Sequence, residues 1–386
     1  MSAVASHQIS KNNDLAFGLS GLLTAPIGYL VLLFLPVYLE VVAKTMALTD
    51  QQIGHLASTD SVGIVIATLL FSFFIQKLQF RQVTLVGVAI TVLANLASAL
   101  TDSFTLLCFI RIIAGFGEGL LVAVGITAIG MTSNPNRWFG FYTAVVVGVQ
   151  ALGLVTVAPI YQAGGLIAVF VAMAALYLLP LLVVKQLPQN TTSYLTSEEA
   201  NPCNHYIAPK YFLIALAGLL CFYIGIGSTW TYISFAGTDA GLSLDYVSQA
   251  LALAMIAGLL GALFFAWLND KGKNAWLLSL SVVIMGVSLI AVLFDVSEFK
   301  YLMLLSVFSF FWSIVGARTF AIISDADHSG KYISAAQTLV GVGYIIGPMM
   351  AAQIIVGYSY LGVNTMGAIA FMLCFALMMP LARKSR

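Results

Sequence analysis

The sequence predicts an all-α integral membrane protein with about twelve transmembrane helices, arranged as two pseudo-symmetric six-helix bundles. The first observation is composition: of 386 residues, 61% are hydrophobic and only 8% are charged, against roughly 25% charged in a soluble domain. The second is that the apolar residues come in long runs. A hydrocarbon core of ~30 Å takes ~20 residues of helix to cross. The third is one long polar interruption, 185–210, with six runs on either side. A net charge of +1 gives no global electrostatic reason to bind nucleic acid. Lipids and a small solute are the expected partners.

In order, the runs fall near 16–39, 51–75, 82–100, 104–131, 138–160, 164–184, 211–236, 244–268, 275–294, 301–323, 332–357 and 361–382. The first exceeds the ~7–15 residues of a signal-peptide core, so it reads as a retained span. An even number of spans puts both termini on one face. Twelve of the sixteen Lys and Arg fall on that face, only Lys44 and Lys300 on the other, and Arg111 and Arg318 within spans. The positive-inside bias then makes the termini cytoplasmic, in a multi-pass protein expected as a monomer in the plasma (inner) membrane. The expected division is a first bundle over 1–184, a cytoplasmic linker over 185–210 and a second bundle over 211–386. Cys108, Cys203, Cys221 and Cys374 form no C-x-x-C pair and no histidine has a partner four residues on, so no metal site is expected.

The fourth run carries the chemistry. Arg111 and Glu118 lie seven residues apart, about two helical turns, and so share a face. Charge at that depth costs at least ~2.5–3.5 kcal/mol per group, so it normally faces protein or a watery cavity. Gly115, Gly117 and Gly119 beside them let neighbouring helices approach closely. Glu118, ~20 Å down its helix, is a candidate proton carrier or a hydrogen-bonded structural acid. Asp60, in the second run at nearly the depth of Arg111, is the alternative carrier. An Asp60–Arg111 pair and a solute contact at Arg111 both remain open. Further candidates for solute contact are Gln150, Gln249 and Gln337, neutral polar residues in spans five, eight and eleven. Arg318, near the terminal face of span ten, either snorkels or faces a cavity. Trp230 and Tyr232 lie toward the far end of span seven, where Gly225 and Gly227 suggest a break and a gate.

The two halves echo each other at a period of roughly 190 residues, with Arg137 to Ala144 answered by Lys331 to Ala335 and short basic turns after spans two and eight. Repeat-built transporters show such symmetry, with the solute site between repeats. These motifs resemble the major facilitator superfamily over nearly the whole chain. The family's G-x-x-x-D-[RK]-x-G-[RK]-[RK] loop keeps Lys77 and Arg81 here, with Ser72, Gln76 and Gln79 at the glycine, acid and second glycine. Its second copy, Asp270-Lys271-Gly272-Lys273, is better preserved but one residue short. Arg111, Gly115 and Gly117 match the helix-four pattern R-x-x-x-G-x-G, and Gly347-Pro348 keeps a break in span eleven like that of family exporters in helix five. The exporter signature itself is represented only by Gly153.

The resemblance implies secondary transport by alternating access, a loop bracing the bundles, and no cofactor, with a proton gradient as energy source. Spans one, four, seven and ten are expected to line a cavity that Glu118 faces. Uptake of a small organic acid or zwitterion is the expected activity. Proton-antiporting efflux of drugs or metabolites is the alternative, and a membrane-embedded sensor or enzyme the reading from another class. No catalytic constellation or phosphate-binding loop of the G-x-x-x-x-G-K type is present to support an enzyme or an ATP-driven pump.

Overall fold

The computed structural model describes residues 11–189, 208–269, 275–294, 296–326 and 331–384. All regular structure among them is helical. The first span is broken into α1 (Lys11–Gly28), α2 (Leu30–Leu33) and α3 (Leu35–Met46). Then come α4 (Asp50–Phe74), α5 (Phe80–Ser98), α6 (Phe104–Gly130) and α7 (Pro135–Leu176). The second half holds α8 (Pro209–Asp239), α9 (Leu244–Asn269), α10 (Ala275–Ala291), α11 (Glu298–Ala326) and α12 (Lys331–Lys384).

Two of these helices are each two spans joined at a sharp turn. In α7 the turn is Gly164–Gly165, where φ of +66° at Gly165 suits a residue without Cβ. In α12 it is Ser359, with φ of +53°. Counted this way the described residues form twelve passes, in the order expected. Large apolar side chains such as Leu93, Phe109, Leu152 and Val356 project outward and are well exposed, a surface suited to lipid rather than water.

Three expectations about helix breaks need correction. The first span was expected unbroken, but Pro26, Gly28 and Pro36 interrupt it at Tyr29 and Phe34. Conversely, α8 runs unbroken through Gly225 and Gly227. Those glycines serve packing: a Cβ on Gly225 would meet the Phe371 ring at 2.6 Å, and one on Gly227 the Gly343 carbonyl at 3.1 Å. Helix α12 likewise keeps helical geometry at Gly347-Pro348 and breaks only at Ser359. Gly347 is a contact point, since its Cβ would press on the Ile224 carbonyl at 2.5 Å. The sixth span also loses its α-helix early, at Leu176, and continues as 3-10 turns over Leu179–Leu182 and Val184–Gln186 around Pro180.

The glycines of α6 set the spacing of the first half. A Cβ on Gly119 would meet the Ile64 carbonyl of α4 at 2.7 Å, and one on Gly117 the Gly87 carbonyl of α5 at 2.8 Å. Gly115 sits directly on the Asp60 carbonyl. Gly115→Ala is therefore expected to destabilise by ~1–3 kcal/mol through overpacking. Gly140→Ala on α7, with open space around it, is expected to be neutral or to stabilise by up to ~1 kcal/mol. Thermal unfolding of the two purified variants checks the contrast; equal melting points would show that α6 can shift freely.

Arg81 braces the end of the sixth span. Its Nη2 donates to the Lys185 carbonyl at 2.7 Å and its Nε to the Leu187 carbonyl at 3.3 Å. Lys77, in the same turn, is exposed. The contact of Arg81 thus lies within the first half, at the root of the linker. Most of that linker (190–207) and the second basic turn, Asp270 to Lys273, lie outside the described residues.

Candidate functional site

Among the described residues Arg111 is the largest fully buried side chain, with no exposed surface. Helix α6 carries it at the depth where α4, α5 and the sixth span converge. Its Nη2 pairs with Asp60 Oδ1 of α4 and with Glu118 Oε1 one face-repeat further along α6, the latter at 3.2 Å. Nη1 donates to Asn95 Oδ1 of α5 at 3.0 Å. Tyr177, where the sixth span leaves α-helical geometry, donates its hydroxyl to Glu118 Oε1 at 2.6 Å. The Tyr38 ring of α3 lies 5.9 Å from the guanidinium carbon, a cation–π distance.

Two carboxylates therefore share one guanidinium, and all three side chains are 0% exposed. Four polar atoms at this centre have no hydrogen-bond partner among the described residues: Asp60 Oδ2, Glu118 Oε2, Arg111 Nε and the Tyr38 hydroxyl. With both acids ionised the trio carries one net negative charge; with one proton bound it is neutral. Buried charge is tolerated only when paired and hydrogen-bonded, and here two acids share one base.

The sequence matched Asp60 with Arg111 in depth, and the two are paired here. It also expected Glu118 to face a cavity between the halves. The structure instead encloses it within the first half, since Asp60, Asn95, Arg111 and Tyr177 all come from the first six spans. Arg111, surrounded by these partners, offers no face to a solute in this conformation.

Trp230 and Tyr232 stand elsewhere, at the seam between the halves on the side away from the termini. Pro36 has no N–H, so it leaves the carbonyl of Leu32, four residues earlier, without its helical donor. Trp230 Nε1 fills that place from the other half, at 3.3 Å. Tyr232 donates to the Asp50 carbonyl at 2.6 Å, Thr238 to Glu40 Oε1 at 2.7 Å, and Gln162 to both oxygens of Asp245 at 2.9 and 3.0 Å. Ser58 reaches the Ile345 carbonyl at 2.9 Å. These bonds close the seam on that side.

Of the remaining candidates, Gln150 is buried on α7 and Arg318 is buried on α11, so snorkelling into water does not describe Arg318. Gln249 is exposed on α9, along the stripe that carries Leu253, Ile256 and Leu260, which is a lipid-facing position rather than an interior one. Gln337 lies on α12, and its side chain is outside the described residues. Sequence reasoning passed over Asn95, Tyr177, Tyr38 and Glu40. Asn95 had a signal, being a polar residue inside an apolar run, and Glu40 a weaker one, lying just past the end of the first run; the tyrosines had none beyond their type.

A family model described as Major Facilitator Superfamily matches residues 17–348 and 215–386. The 3-(3-hydroxy-phenyl)propionate transporter of Escherichia coli K12 is 22% identical over 346 residues, covering 85% of this chain and 83% of that protein. The putative transporter AraJ of the same organism is 23% identical over 141 residues, a match spanning 36% of this chain and 34% of AraJ. The crystal structure of a D-xylose-proton symporter superposes with a TM-score of 0.73 at 14% identity, covering 94% of this chain and 96% of that one. With twelve passes in two halves and a family match along nearly its whole length, the chain belongs to the Major Facilitator Superfamily.

Proposed function

We propose that this protein is a proton-coupled secondary transporter that takes up a small organic acid or zwitterion by alternating access. The observation that carries the reading is the buried trio of Asp60, Arg111 and Glu118, two acids on one base with room for one proton. A group of that kind, fully out of water in one conformation, carries a proton across only if another conformation opens it. The 3-10 stretch beside Tyr177 and the broken first span beside Tyr38 are the places where backbone movement would reach it. The likeness to an aromatic-acid transporter over most of the chain supports an acid as solute, recognised by groups other than Arg111. The basic residues support cytoplasmic termini, and the two six-span halves are the moving bodies.

The test is reconstitution into liposomes with a pH-sensitive dye inside. Addition of 3-(3-hydroxyphenyl)propionate or related small aromatic acids is expected to acidify the lumen, and an imposed proton gradient to drive accumulation. Proton movement driven only by organic cations, and in the opposite direction, would replace uptake by efflux. Solute movement that ignores the proton gradient would refute coupling altogether.

A further inference from the structure

Aromatic side chains gather between the halves, on the terminal side of the closed seam. Tyr223 lies at the middle of α8, seven residues and so ~10 Å before Trp230. Helix α12 rests directly on it, since a Cβ on Gly343 would meet the Tyr223 Cβ at 2.4 Å. With the helices that close, the Tyr344 ring stands 5.9 Å from the Tyr223 ring, tilted by 50°. Phe320 of α11 meets Tyr223 edge-on at 6.4 Å. Three helices of the second half thus share one aromatic wall. The first half contributes Tyr29, at the break between α1 and α2. Its hydroxyl lies within electrostatic reach of those of Tyr223 and Tyr344, and of Tyr142 on α7. All four tyrosines and Phe320 are only half-buried. No hydrogen bond among the described residues engages any of the four hydroxyls. By contrast, Tyr177, Tyr232 and Tyr301 each donate to a protein oxygen.

We propose that these residues recognise one end of the solute, and that this end is a planar aromatic ring bearing a hydroxyl. The ring packs against Tyr223 and Tyr344, and its hydroxyl exchanges hydrogen bonds with the tyrosine hydroxyls around it. Aromatic faces and edges attract a second ring in offset or edge-on geometry, which a saturated ring of similar size does not reproduce. A tyrosine hydroxyl both donates and accepts, and a phenolic hydroxyl offers the same pair of roles. A solute with only hydrogen at that position leaves a tyrosine without its partner. None of the five side chains carries a charge, so the end of the solute that they meet is neutral and its carboxylate is held elsewhere. Tyr29 and Tyr142 belong to one half and the aromatic wall to the other, so such a solute touches both moving bodies at once. The inference rests on the uptake of an organic acid proposed above and adds what the rest of that acid must be; it does not involve the Asp60–Arg111–Glu118 trio.

The test reads binding, not transport. Calorimetric titration of the purified full chain in lipid nanodiscs compares 3-(3-hydroxyphenyl)propionate, 3-phenylpropionate and 3-cyclohexylpropionate. Affinity is expected to fall in that order, with the loss of the hydroxyl alone worth about tenfold in Kd, the size of one neutral hydrogen bond. Tyr29→Phe/Tyr142→Phe/Tyr223→Phe/Tyr344→Phe keeps every ring and removes every hydroxyl. It is expected to bind the first two acids equally and to prefer both over the third. Tyr223→Leu is expected to bring 3-phenylpropionate down to the affinity of 3-cyclohexylpropionate. Equal wild-type affinity for the three acids, a hydroxyl preference unchanged in the fourfold variant, or a ring preference unchanged in Tyr223→Leu would each overturn the proposal. Should the fourfold variant not fold, Tyr29→Phe alone must still reduce the hydroxyl preference; no reduction overturns it. m-Cresol, a hydroxylated ring without a carboxylate, separates this inference from the reading it rests on. If m-cresol alone binds, and weakens in the fourfold variant, the ring site stands and the acid does not. If all three acids bind alike and ignore the tyrosines, the acid stands and the ring site does not. Binding by none of the four probes overturns the ring site.

Discussion

Arg111→Met is expected to be the most damaging single substitution in the first half, lowering stability by ~3–5 kcal/mol. Methionine fills much of the arginine volume, so packing is nearly kept. What goes is the only positive charge paired with Asp60 and Glu118 among the described residues, both acids being 0% exposed, and the donor to Asn95 Oδ1. Two carboxylates are left in a dry interior with a tyrosine and an asparagine for company. Asp60→Asn should be far milder, since Arg111 then still faces Glu118 and the trio becomes neutral without a proton. The triple variant Arg111→Met/Asp60→Asn/Glu118→Gln should recover most of the loss, because deleting every charge leaves none uncompensated. Thermal unfolding in detergent orders the four proteins. An Arg111→Met protein that melts with the wild type, or a triple variant no better than Arg111→Met, would mean that the ion pairs hold nothing together.

That ordering also separates structure from coupling. A trio that mattered only for folding would show its whole effect in the melting points. One that carries a proton must also show an effect in variants that melt normally.

Much of this was legible in the sequence, for reasons that differ by element. Hydrophobic length alone located the passes, because lipid leaves a helix few alternatives to satisfying its own backbone. The glycines of α6 were readable as contact points, since small residues in a span have few other uses. Asp60 and Arg111 were matched by depth. Asn95 and Tyr177 were not, because depth says nothing about how a helix is rotated in its bundle. That rotation is set by contacts such as Gly117 on the Gly87 carbonyl, which appear only when the helices are packed. The same ignorance placed Glu118 on a cavity between halves. The break in the first span was not anticipated, although Pro26, Gly28 and Pro36 all lie in it. Its consequence, a Leu32 carbonyl taken by Trp230 from the other half, joins residues 198 positions apart and needed the fold to be seen.

Glu118→Gln is expected to separate solute movement from proton movement. Glu118 Oε1 accepts from Tyr177 at 2.6 Å and from Arg111 at 3.2 Å, and the amide oxygen of glutamine can accept both bonds. Shape and packing are kept, so the melting point should stay close to that of the wild type. The charge changes in one respect only: with Asp60 ionised against Arg111, the trio is permanently neutral, as if the proton never left. Exchange of solute across the membrane should survive, because each conformation remains available. Concentration should not. A pH difference of one unit stores about 1.4 kcal/mol per proton, which sustains roughly tenfold accumulation for one proton per solute. In liposomes under that gradient the variant is expected to reach only equal concentrations inside and out, with no dye signal from proton entry. Tyr177→Phe, which leaves Glu118 able to ionise, should retain accumulation. If Glu118→Gln still concentrates solute about as well as the wild type, the proton travels elsewhere, and Asp60, the other acid on Arg111, becomes the residue to neutralise.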